Sequence, residues 1–248
     1  MKVTPIKTPP VYVHDNLFDV IKNNLKDIKE ESVLVVTSKI VALSQGRIAS
    51  PEKVERDDLI PQEADYYLPR EFNKYGFCLS VKNSTLIASA GIDQSNANGD
   101  FVLWPENIQA AANEIREFLI EQFKLKKVGV IITDSHVLPL RWGTHGTSLA
   151  HSGFLALNNY IGKPDIFGRL LKVSQANIAE GLASAGVVVM GEGNEQTPLC
   201  LIEEVGFVQF QDRNPSQEEL EFLKISIEDD IYAPLLTSVK WITGKKTE

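Results

Sequence analysis

The run VGVIITDSH, from Val128 to His136, limits the possible folds of this chain more than any other segment. It begins with almost only apolar residues, which is typical of a strand buried inside a sheet. The strand then meets an acid and a hydroxyl, Asp134 and Ser135. A buried strand that carries a carboxylate at its exposed end is a common support for a metal ligand or a catalytic acid, because backbone hydrogen bonds hold the side chain still. We therefore expect a polar ligand beyond the end of this strand.

The stretch after this strand, LRWGTHGTSLAHSG, is rich in glycine, histidine and hydroxyl side chains. Three of the four histidines, His136, His145 and His151, lie in it or just before it. Neutral imidazole is a frequent zinc ligand, but the intervals of nine and six residues match no familiar zinc pattern. A Ser–His–acid triad is a further alternative, although the chain has no GxSxG turn. We interpret these histidines as satisfied polar or substrate-contacting groups.

The composition is that of an ordinary globular protein. With 248 residues and 43% hydrophobic content, the chain can bury one large core or two moderate ones without disulfides or a structural metal. Cys78 and Cys200 have no partner at metal-ligand spacing, so we expect two small core residues in a reducing compartment. No signal peptide is visible at the N-terminus, and no segment approaches the roughly 18 apolar residues that span a bilayer. These features predict a cytoplasmic protein without membrane contact.

The charge balance argues against one class of partner. The chain has 25 basic and 33 acidic residues, a net charge of −8, so a nucleic-acid backbone would be repelled. A polyanionic small molecule would need local help from a metal ion, from helix N-termini or from a few placed cations such as Arg141, Lys163 and Arg169.

Apolar runs and helical patterns alternate along the chain without a strict βαβ rhythm. The predicted strands are SVLVVTSK over 32–39, a hairpin of FCLSV and TLIASA around a polar turn at 82–84, the run 128–136, and PLCLIEE. The predicted helices are a short one through Leu17 and Leu25, one over 105–124, one within 173–190 that runs into a strand at VVVM, and a late one with Ser216 and Glu219 in capping-box register. The charged, proline-interrupted segment after SQGRI predicts a loop with helical pieces and a lobe edge within 50–75. The sequence thus predicts an α+β (mixed α/β) protein in two lobes.

Three loops share one pattern, in which an apolar element ends in an acid beside glycine, hydroxyl or amide groups. They are GIDQSN with Asp93 and Asn96, TDSH with Asp134 and Ser135, and GEGNEQ with Glu192 and Glu195. Hard cations such as Mg²⁺ or Mn²⁺ prefer oxygen ligands, often one or two carboxylates together with substrate phosphates. Each acid alone is more typical of a turn or a helix cap. Together the three loops predict a divalent-metal site.

No ordinary nucleotide motif is present. The P-loop pattern GxxxxGK[ST] is absent, and the terminal GKKT is interpreted as a basic tail because it lacks the upstream glycine. GEGNEQ has only the first two glycines of a dinucleotide fingerprint, although backbone N–H groups in such a turn can hold phosphate oxygens. Any nucleoside triphosphate site in this chain would be unconventional.

The motifs GIDQSN, VGVIITDSH, LRWG and MGEGNEQTP, in this order and spacing, resemble the coenzyme F420-0:γ-glutamyl ligase family. The resemblance covers nearly the whole chain as one catalytic unit, 1–248, and includes VLVVTSKIV, QGRI and IGKPDIFGR. It implies that a nucleoside triphosphate, typically GTP, phosphorylates an acceptor carboxylate, and that the amine of L-glutamate displaces the phosphate. It also implies assistance by Mn²⁺ or Mg²⁺, often with K⁺, and an intertwined homodimer with its site near the subunit interface.

The resemblance assigns roles to individual residues. It implies a metal site made of Asp93, Asp134, Ser135 and Glu192. It implies nucleotide contacts by Pro10, Val11, Ser38, Lys39, Asn96, Gly191, Gly193, Asn194, Glu195 and Gln196. Catalytic roles fall to His136 and to Arg141, which would clamp the acceptor carboxylate or phosphate. In such a site the metal neutralises the β/γ-phosphate charge while an acyl phosphate forms.

The departures from the family pattern concern the acceptor. Where F420 ligases usually read DTNGRCFRRG, this chain has DSHVLPLRWG, so an arginine becomes Trp142 and an asparagine becomes His136. KAEGR becomes LSQGR, which replaces a lysine by Leu43. The loss of two cations and the gain of an indole favour a folate-type acceptor over F420-0, as in a branch proposed to add γ-glutamate to folate. Two alternatives remain open: a metal-dependent phosphatase or nucleotidase, and a noncatalytic nucleotide- or pterin-binding protein.

Overall fold

The computed structural model describes residues 1–245, in which short helices and strands alternate. The strands are β1 (Lys2–Ile6), β2 (Ser32–Thr37), β3 (Ile48–Ala49), β4 (Tyr66–Leu68), β5 (Leu79–Lys82), β6 (Thr85–Ala88), β7 (Phe101–Val102), β8 (Val128–Val137), β9 (Thr144–Ser152), β10 (Leu157–Asn159), β11 (Gln175–Asn177), β12 (Leu199–Glu203) and β13 (Ile242–Thr243). The helices are α1 (Leu17–Asn24), α2 (Ser38–Ser44), α3 (Arg56–Glu63), α4 (Ile108–Phe123), α5 (Ile178–Met190), α6 (Gln217–Glu221) and α7 (Ala233–Leu236). This content confirms the predicted α+β class. The GKKT tail falls in part outside the described residues.

A five-stranded sheet in the order β1-β12-β2-β8-β9 forms the centre of the fold. Strands β2 and β8 run parallel, and the other neighbours are antiparallel. Leu34 and Val36 face a core that includes residues of α1 and α4, whereas Val33 and Val35 face a core that includes residues of α5. Because helices cover both faces, both sets of side chains in these strands must be apolar. This explains the continuous apolar runs in the sequence.

A second sheet, β13-β4-β5-β6, lies outside the central one. Its β5–β6 hairpin confirms the predicted hairpin, and Asn83 and Ser84 turn the chain with φ of 49° and 58°. Helix α3 and strand β4 lie in the charged segment, where helical pieces were predicted. The lobe edge within 50–75 stays a prediction.

Several helix signals in the sequence hold in the structure. Helix α4 forms where its apolar spacing predicts, but it begins at Ile108 and not at the predicted Pro105. Ser216 accepts the backbone N–H of Glu219, whose side chain accepts the backbone N–H of Ser216, so the capping box is confirmed. The side chain of Asn16 accepts two backbone N–H groups at the start of α1.

Two further predicted boundaries are wrong. The strand predicted over 32–39 ends at Thr37, and Ser38 and Lys39 form the first turn of α2. The strand predicted at VVVM does not form, because α5 continues to Met190. Val187 and Met190 continue its buried face, and helical packing against the sheet therefore outweighs the β preference of three consecutive valines.

Both cysteines are buried and free, as predicted for small core residues. Burial raises the pKa of the Cys200 thiol to about 12. Among residues 1–245, no helix is long and apolar enough to cross a membrane.

His151 makes the stability of the fold depend on pH. Its side chain is buried against Phe154, and burial lowers its pKa to about 4 despite the opposing charge of Glu219. An unfolded histidine has a pKa of about 6.5, so the unfolded state binds a proton first and stability falls as the pH drops from about 6.5 towards 4. We expect this residue to remove about 2 kcal/mol from the free energy of unfolding between pH 7.5 and 5.

Urea denaturation at the two pH values measures this effect. His151→Gln should show a smaller pH-dependent loss than the parent protein, whatever its absolute stability. The exposed His14 offers a control, since His14→Gln should retain the full loss. An equal loss in His151→Gln and the parent protein would assign the pH dependence to other groups.

Candidate functional site

A cavity of about 850 Å³ brings the three acid-bearing segments together. Its wall contains Asp93 and Asn96 from the first, Asp134 and Ser135 from the second, and the whole GEGNEQ segment. Parts of 8–11, α2 and the β5–β6 hairpin complete the wall. The common location expected from the sequence is therefore present. The prediction that TDSH is a loop is wrong, because β8 continues to Val137 by pairing with β9.

The parallel pairing of β2 and β8 places two of these segments side by side. Thr37 pairs with Thr133, so both strands reach the same edge of the sheet. Lys39 lies two residues after Thr37, and Asp134 directly follows Thr133. The rigid strands thus fix the positions of a cation and an acid at the cavity wall.

Asp93 is held by strong hydrogen bonds. Lys39 Nζ donates to its Oδ2 at 2.6 Å, and the Ser95 hydroxyl donates to the same oxygen at 2.6 Å. Burial alone would raise the pKa of Asp93, but the hydrogen bonds from Lys39 and Ser95 outweigh it and lower the pKa to about 2. Asp93 is therefore ionised at neutral pH.

Asp134 lies deeper in the site. Trp104 Nε1 donates to its Oδ2 at 2.6 Å, and the Ser135 backbone N–H donates to its Oδ1 at 2.8 Å. Burial raises the pKa of Asp134 and the charge of Asp93 raises it further, while these two hydrogen bonds oppose the rise. The negative charge of Asp93 thus disfavours ionisation of Asp134.

Hydrogen bonds connect the GEGNEQ segment to the other two acid-bearing segments. Ser135 Oγ donates to Glu192 Oε1 at 2.8 Å, and Thr144 Oγ1 donates to the same oxygen at 3.1 Å. Asn96 Nδ2 donates to the carbonyl oxygen of Gly193 at 2.8 Å. Inside the segment, the Gly193 backbone N–H donates to Glu195 Oε2 at 2.8 Å.

The donor set fits a hard divalent cation in its chemistry. Asp93, Asp134, Ser135 and Glu192 offer only oxygen atoms, and the repulsion between the two aspartates would be relieved by a bound cation. Within residues 1–245, however, no three His, Cys, Asp or Glu side chains stand in metal-binding arrangement. The acids instead bond to Lys39, Trp104 and hydroxyl groups, which a cation would have to displace in part.

The three histidines separate in the fold. His136 and His145 are cross-strand partners with ring centroids 4.3 Å apart, and His136 lines the cavity. His151 lies instead in the core, so the three do not form a zinc site. Burial lowers the pKa of His136 and the neighbouring His145 lowers it further, against a hydrogen bond with the Leu86 backbone.

Most of the predicted nucleotide contacts line the cavity, but one predicted residue does not. Pro10, Val11, Lys39 and Asn96 are in the wall, and the Thr8 backbone N–H donates to Gln196 O at 2.9 Å, tying 8–11 to the GEGNEQ segment. Ser38 is buried at the start of α2 and lies outside the wall.

Arg141 and Trp142 also lie outside the cavity wall, on the exposed β8–β9 loop. The Trp142 side chain is 90% exposed and contacts Tyr75 edge-on. In this conformation neither residue contacts the cavity, because the loop leaves the wall after Pro139.

All residues that line the cavity lie within a region that matches a known protein family. The family model for F420-0:Gamma-glutamyl ligase matches residues 5–204. This chain belongs to that family. A protein of Methanococcus maripaludis named Coenzyme F420:L-glutamate ligase is 41% identical over 195 residues, which cover 71% of this chain and 76% of the relative. A protein with the same name from Methanocaldococcus jannaschii is 31% identical, over 71% of this chain and 76% of the relative. Another from Archaeoglobus fulgidus is 28% identical, over 82% of this chain and 87% of the relative.

Membership of the F420-0:Gamma-glutamyl ligase family makes the chain a ligase-type enzyme, as predicted. Four residues of the site were not predicted from the sequence: Trp104, Ser95 and Thr144, which bond to the acids, and Arg56, which lines the cavity. A tryptophan directly before the proline that precedes α4 was a visible signal, but nothing local connects it to an aspartate thirty residues later.

Proposed function

We propose that this F420-0:Gamma-glutamyl ligase family member is a γ-glutamyl ligase that uses a nucleoside triphosphate, GTP or in its place ATP. The triphosphate would transfer its γ-phosphoryl group to an acceptor carboxylate, releasing the diphosphate. The amine of L-glutamate would then displace phosphate from the acyl phosphate and form an amide. The convergence of Asp93, Asp134 and Glu192 on one cavity is the observation that carries this proposal.

The metal and nucleotide part of the proposal rests on the donor set of the cavity. Mg²⁺ or Mn²⁺, held by Asp93, Asp134, Ser135 and Glu192, would supply neutralisation of phosphate charge, with K⁺ as the monovalent cation. The GEGNEQ turn and the neighbouring 8–11 segment offer backbone groups for the nucleotide.

His136 is proposed to act as a general base. It lines the cavity two residues beyond Asp134, and an ordinary histidine, with a pKa of about 6.5, is mostly neutral at pH 7. A neutral imidazole can accept the proton that the glutamate amine loses as the amide forms.

The acceptor is proposed to be of folate type. Leu43, which stands where the family has lysine, lines the cavity, so this substitution removes a cation from the wall itself. Trp142 gives no such support in this conformation, since it lies outside the wall. The relatives carry the name Coenzyme F420:L-glutamate ligase, so F420-0 is the acceptor to compare.

The test is to incubate the purified protein with GTP or ATP, Mg²⁺ or Mn²⁺, L-glutamate and either tetrahydrofolate monoglutamate or F420-0. The masses of the products are then measured by mass spectrometry. We expect a gain of one glutamyl unit, preferentially on the folate. A gain on F420-0 alone would reverse the acceptor assignment. Phosphate release independent of L-glutamate would support a phosphatase or nucleotidase, and nucleotide binding without turnover would support a noncatalytic binding protein.

A homodimer is part of the proposal. In the segment between β10 and β11, three apolar side chains are almost fully exposed: the exposed fractions are 91% for Ile166, 89% for Phe167 and 85% for Val173. Exposed apolar groups of this size are typical of an interaction surface, and the family resemblance points to a second copy of the chain.

Phe167→Asp tests this assembly. We expect the mass measured by light scattering to fall from twice the chain mass to the chain mass, because a charge placed in an apolar interface is strongly unfavourable. Leu235→Asp, at an exposed position on α7, is the control and should keep the dimer. A monomeric parent protein would contradict the proposal.

A further inference from the structure

Only two cationic side chains, Lys39 and Arg56, line the cavity within the described residues. Lys39 is neutralised by Asp93, since its Nζ lies 2.6 Å from the Asp93 Oδ2. Arg56 forms no salt bridge with any residue of 1–245, and its Nε is buried without a hydrogen-bond partner. Arg56 is therefore the cation of this wall whose charge the protein itself does not balance.

Arg56 is held at the wall by an aromatic platform. Its guanidinium carbon lies 5.2 Å from the ring centroid of Phe101, which is buried in the same core cluster as Leu59 and Ile60 of α3. A guanidinium placed over a ring keeps its N–H groups free to bind a planar anion at its edge. The side chain is thus positioned by the ring and left available to a ligand.

This platform is coupled to the acid side of the cavity. Phe101 precedes Val102, whose backbone N–H donates to Asp93 O at 2.7 Å and whose carbonyl accepts the Asp93 N–H at 3.0 Å. The position of Arg56 is therefore fixed relative to Asp93 through a short antiparallel bridge. Arg56 and the acids thus line one cavity, whereas the exposed Arg141 lies outside its wall.

The surroundings of Arg56 indicate which substrate it meets. Phe77 and Leu79 of the hairpin region line the same cavity, and Cys78 between them packs in the core cluster that contains Phe101, the ring beneath Arg56. The glycine-rich GEGNEQ turn bonds instead to the acid-bearing segments around Asn96 and Ser135. A flat, largely apolar body with an oxyanion attached fits the first environment, and a triphosphate fits the second.

We propose that Arg56 binds an anionic group, carboxylate or phosphodiester, of the acceptor. This inference rests on the proposed ligase function and replaces Arg141 as the residue that clamps the acceptor. Guanidinium binds such oxyanions through paired N–H···O bonds, which lysine cannot reproduce in geometry.

The test compares Arg56→Gln, Arg56→Lys and the control Arg70→Gln, which removes an arginine that pairs with Asp57 outside the cavity. Equilibrium titrations with tetrahydrofolate monoglutamate, with F420-0 and with GTP are followed by steady-state KM values for each substrate. We expect Arg56→Gln to weaken acceptor binding by at least about 10-fold and to leave the Kd for GTP within about 2-fold. Arg56→Lys should lie between, and Arg70→Gln should match the parent.

Each other outcome has a defined meaning. Unchanged acceptor binding in Arg56→Gln, with a parent protein that turns over, would overturn the role of Arg56 and leave the ligase function standing. Weakened acceptor binding without any gain of a glutamyl unit by the parent would support Arg56 and overturn the ligase function. Weaker binding of GTP instead would assign Arg56 to the nucleotide, and a parent that binds neither acceptor would overturn both proposals.

Discussion

Asp134→Asn is expected to lower turnover more than about 10²-fold, because Asp134 is proposed to bind the metal directly and its loss should exceed the 10–100-fold effect of outer partners. The substitution keeps the size of the side chain but removes the charge that a cation needs. The measurement is product formation at saturating substrates, together with Mn²⁺ binding followed by electron paramagnetic resonance. Loss of both would agree with metal binding by Asp134.

The fold should survive this substitution. Both oxygens of Asp134 accept hydrogen bonds, from Trp104 Nε1 and from the Ser135 N–H. In the variant the asparagine NH₂ group replaces one of these oxygens, so two donors face each other, which destabilises the fold by about 1–3 kcal/mol. Removal of a buried charge offsets part of this cost, so we expect the Tm to fall by no more than about 5 °C. Asp229→Asn, at an exposed aspartate that accepts a bond from Ser226, is the control. A large loss of stability with normal Mn²⁺ binding would assign Asp134 a structural role.

Trp104→Phe is expected to weaken Mn²⁺ binding by about 10–100-fold, the range found when a group that orients a metal ligand is lost. The indole N–H fixes Oδ2 of Asp134 at 2.6 Å, and phenylalanine cannot donate this bond. The ring itself is buried, and Lys82 Nζ lies 5.2 Å from its centroid. Mn²⁺ titration measures the effect independently of turnover.

The chain offers a matched control for the loss of an indole donor. Trp241 lies outside the cavity wall and its Nε1 donates to Leu236 O, so Trp241→Phe should leave Mn²⁺ binding unchanged. Gly91→Ala disturbs the bond between Trp104 and Asp134 in a second way, since a Cβ at this residue, with φ of 73°, would collide with Trp104 Nε1. Normal Mn²⁺ affinity in Trp104→Phe would mean that the bond to Asp134 only provides an acceptor for the buried indole N–H and does not orient a metal ligand.

The elements that the sequence predicted well are those with strong local signals. The buried run of β8, the hairpin turn at Asn83 and Ser84, the apolar stripe of α4 and the capping box at Ser216 each follow from a few neighbouring residues. The errors at Lys39 and VVVM fall at element ends, where packing against the sheet decides between helix and strand.

The residues of the candidate site also differ in how far the local sequence predicts them. Asp93, Asp134 and Glu192 could be selected because each follows an apolar element and sits beside turn residues, and the cavity brings all three together. Arg141 was selected from a matched motif, and the fold places it outside the cavity wall. A motif fixes the residue type, but the direction of an exposed loop depends on contacts that the motif does not contain.

The sequence by itself determined the α+β class, the strand that carries Asp134 and the set of acids, because hydrophobic periodicity and turn chemistry are local properties. Only the tertiary structure decided that Trp104 holds Asp134, that His151 belongs to the core and that Arg56 is the unbalanced cation of the cavity. These are contacts between residues distant along the chain. Their partners are selected by the packing of sheets and helices, which leaves no pattern in either segment alone.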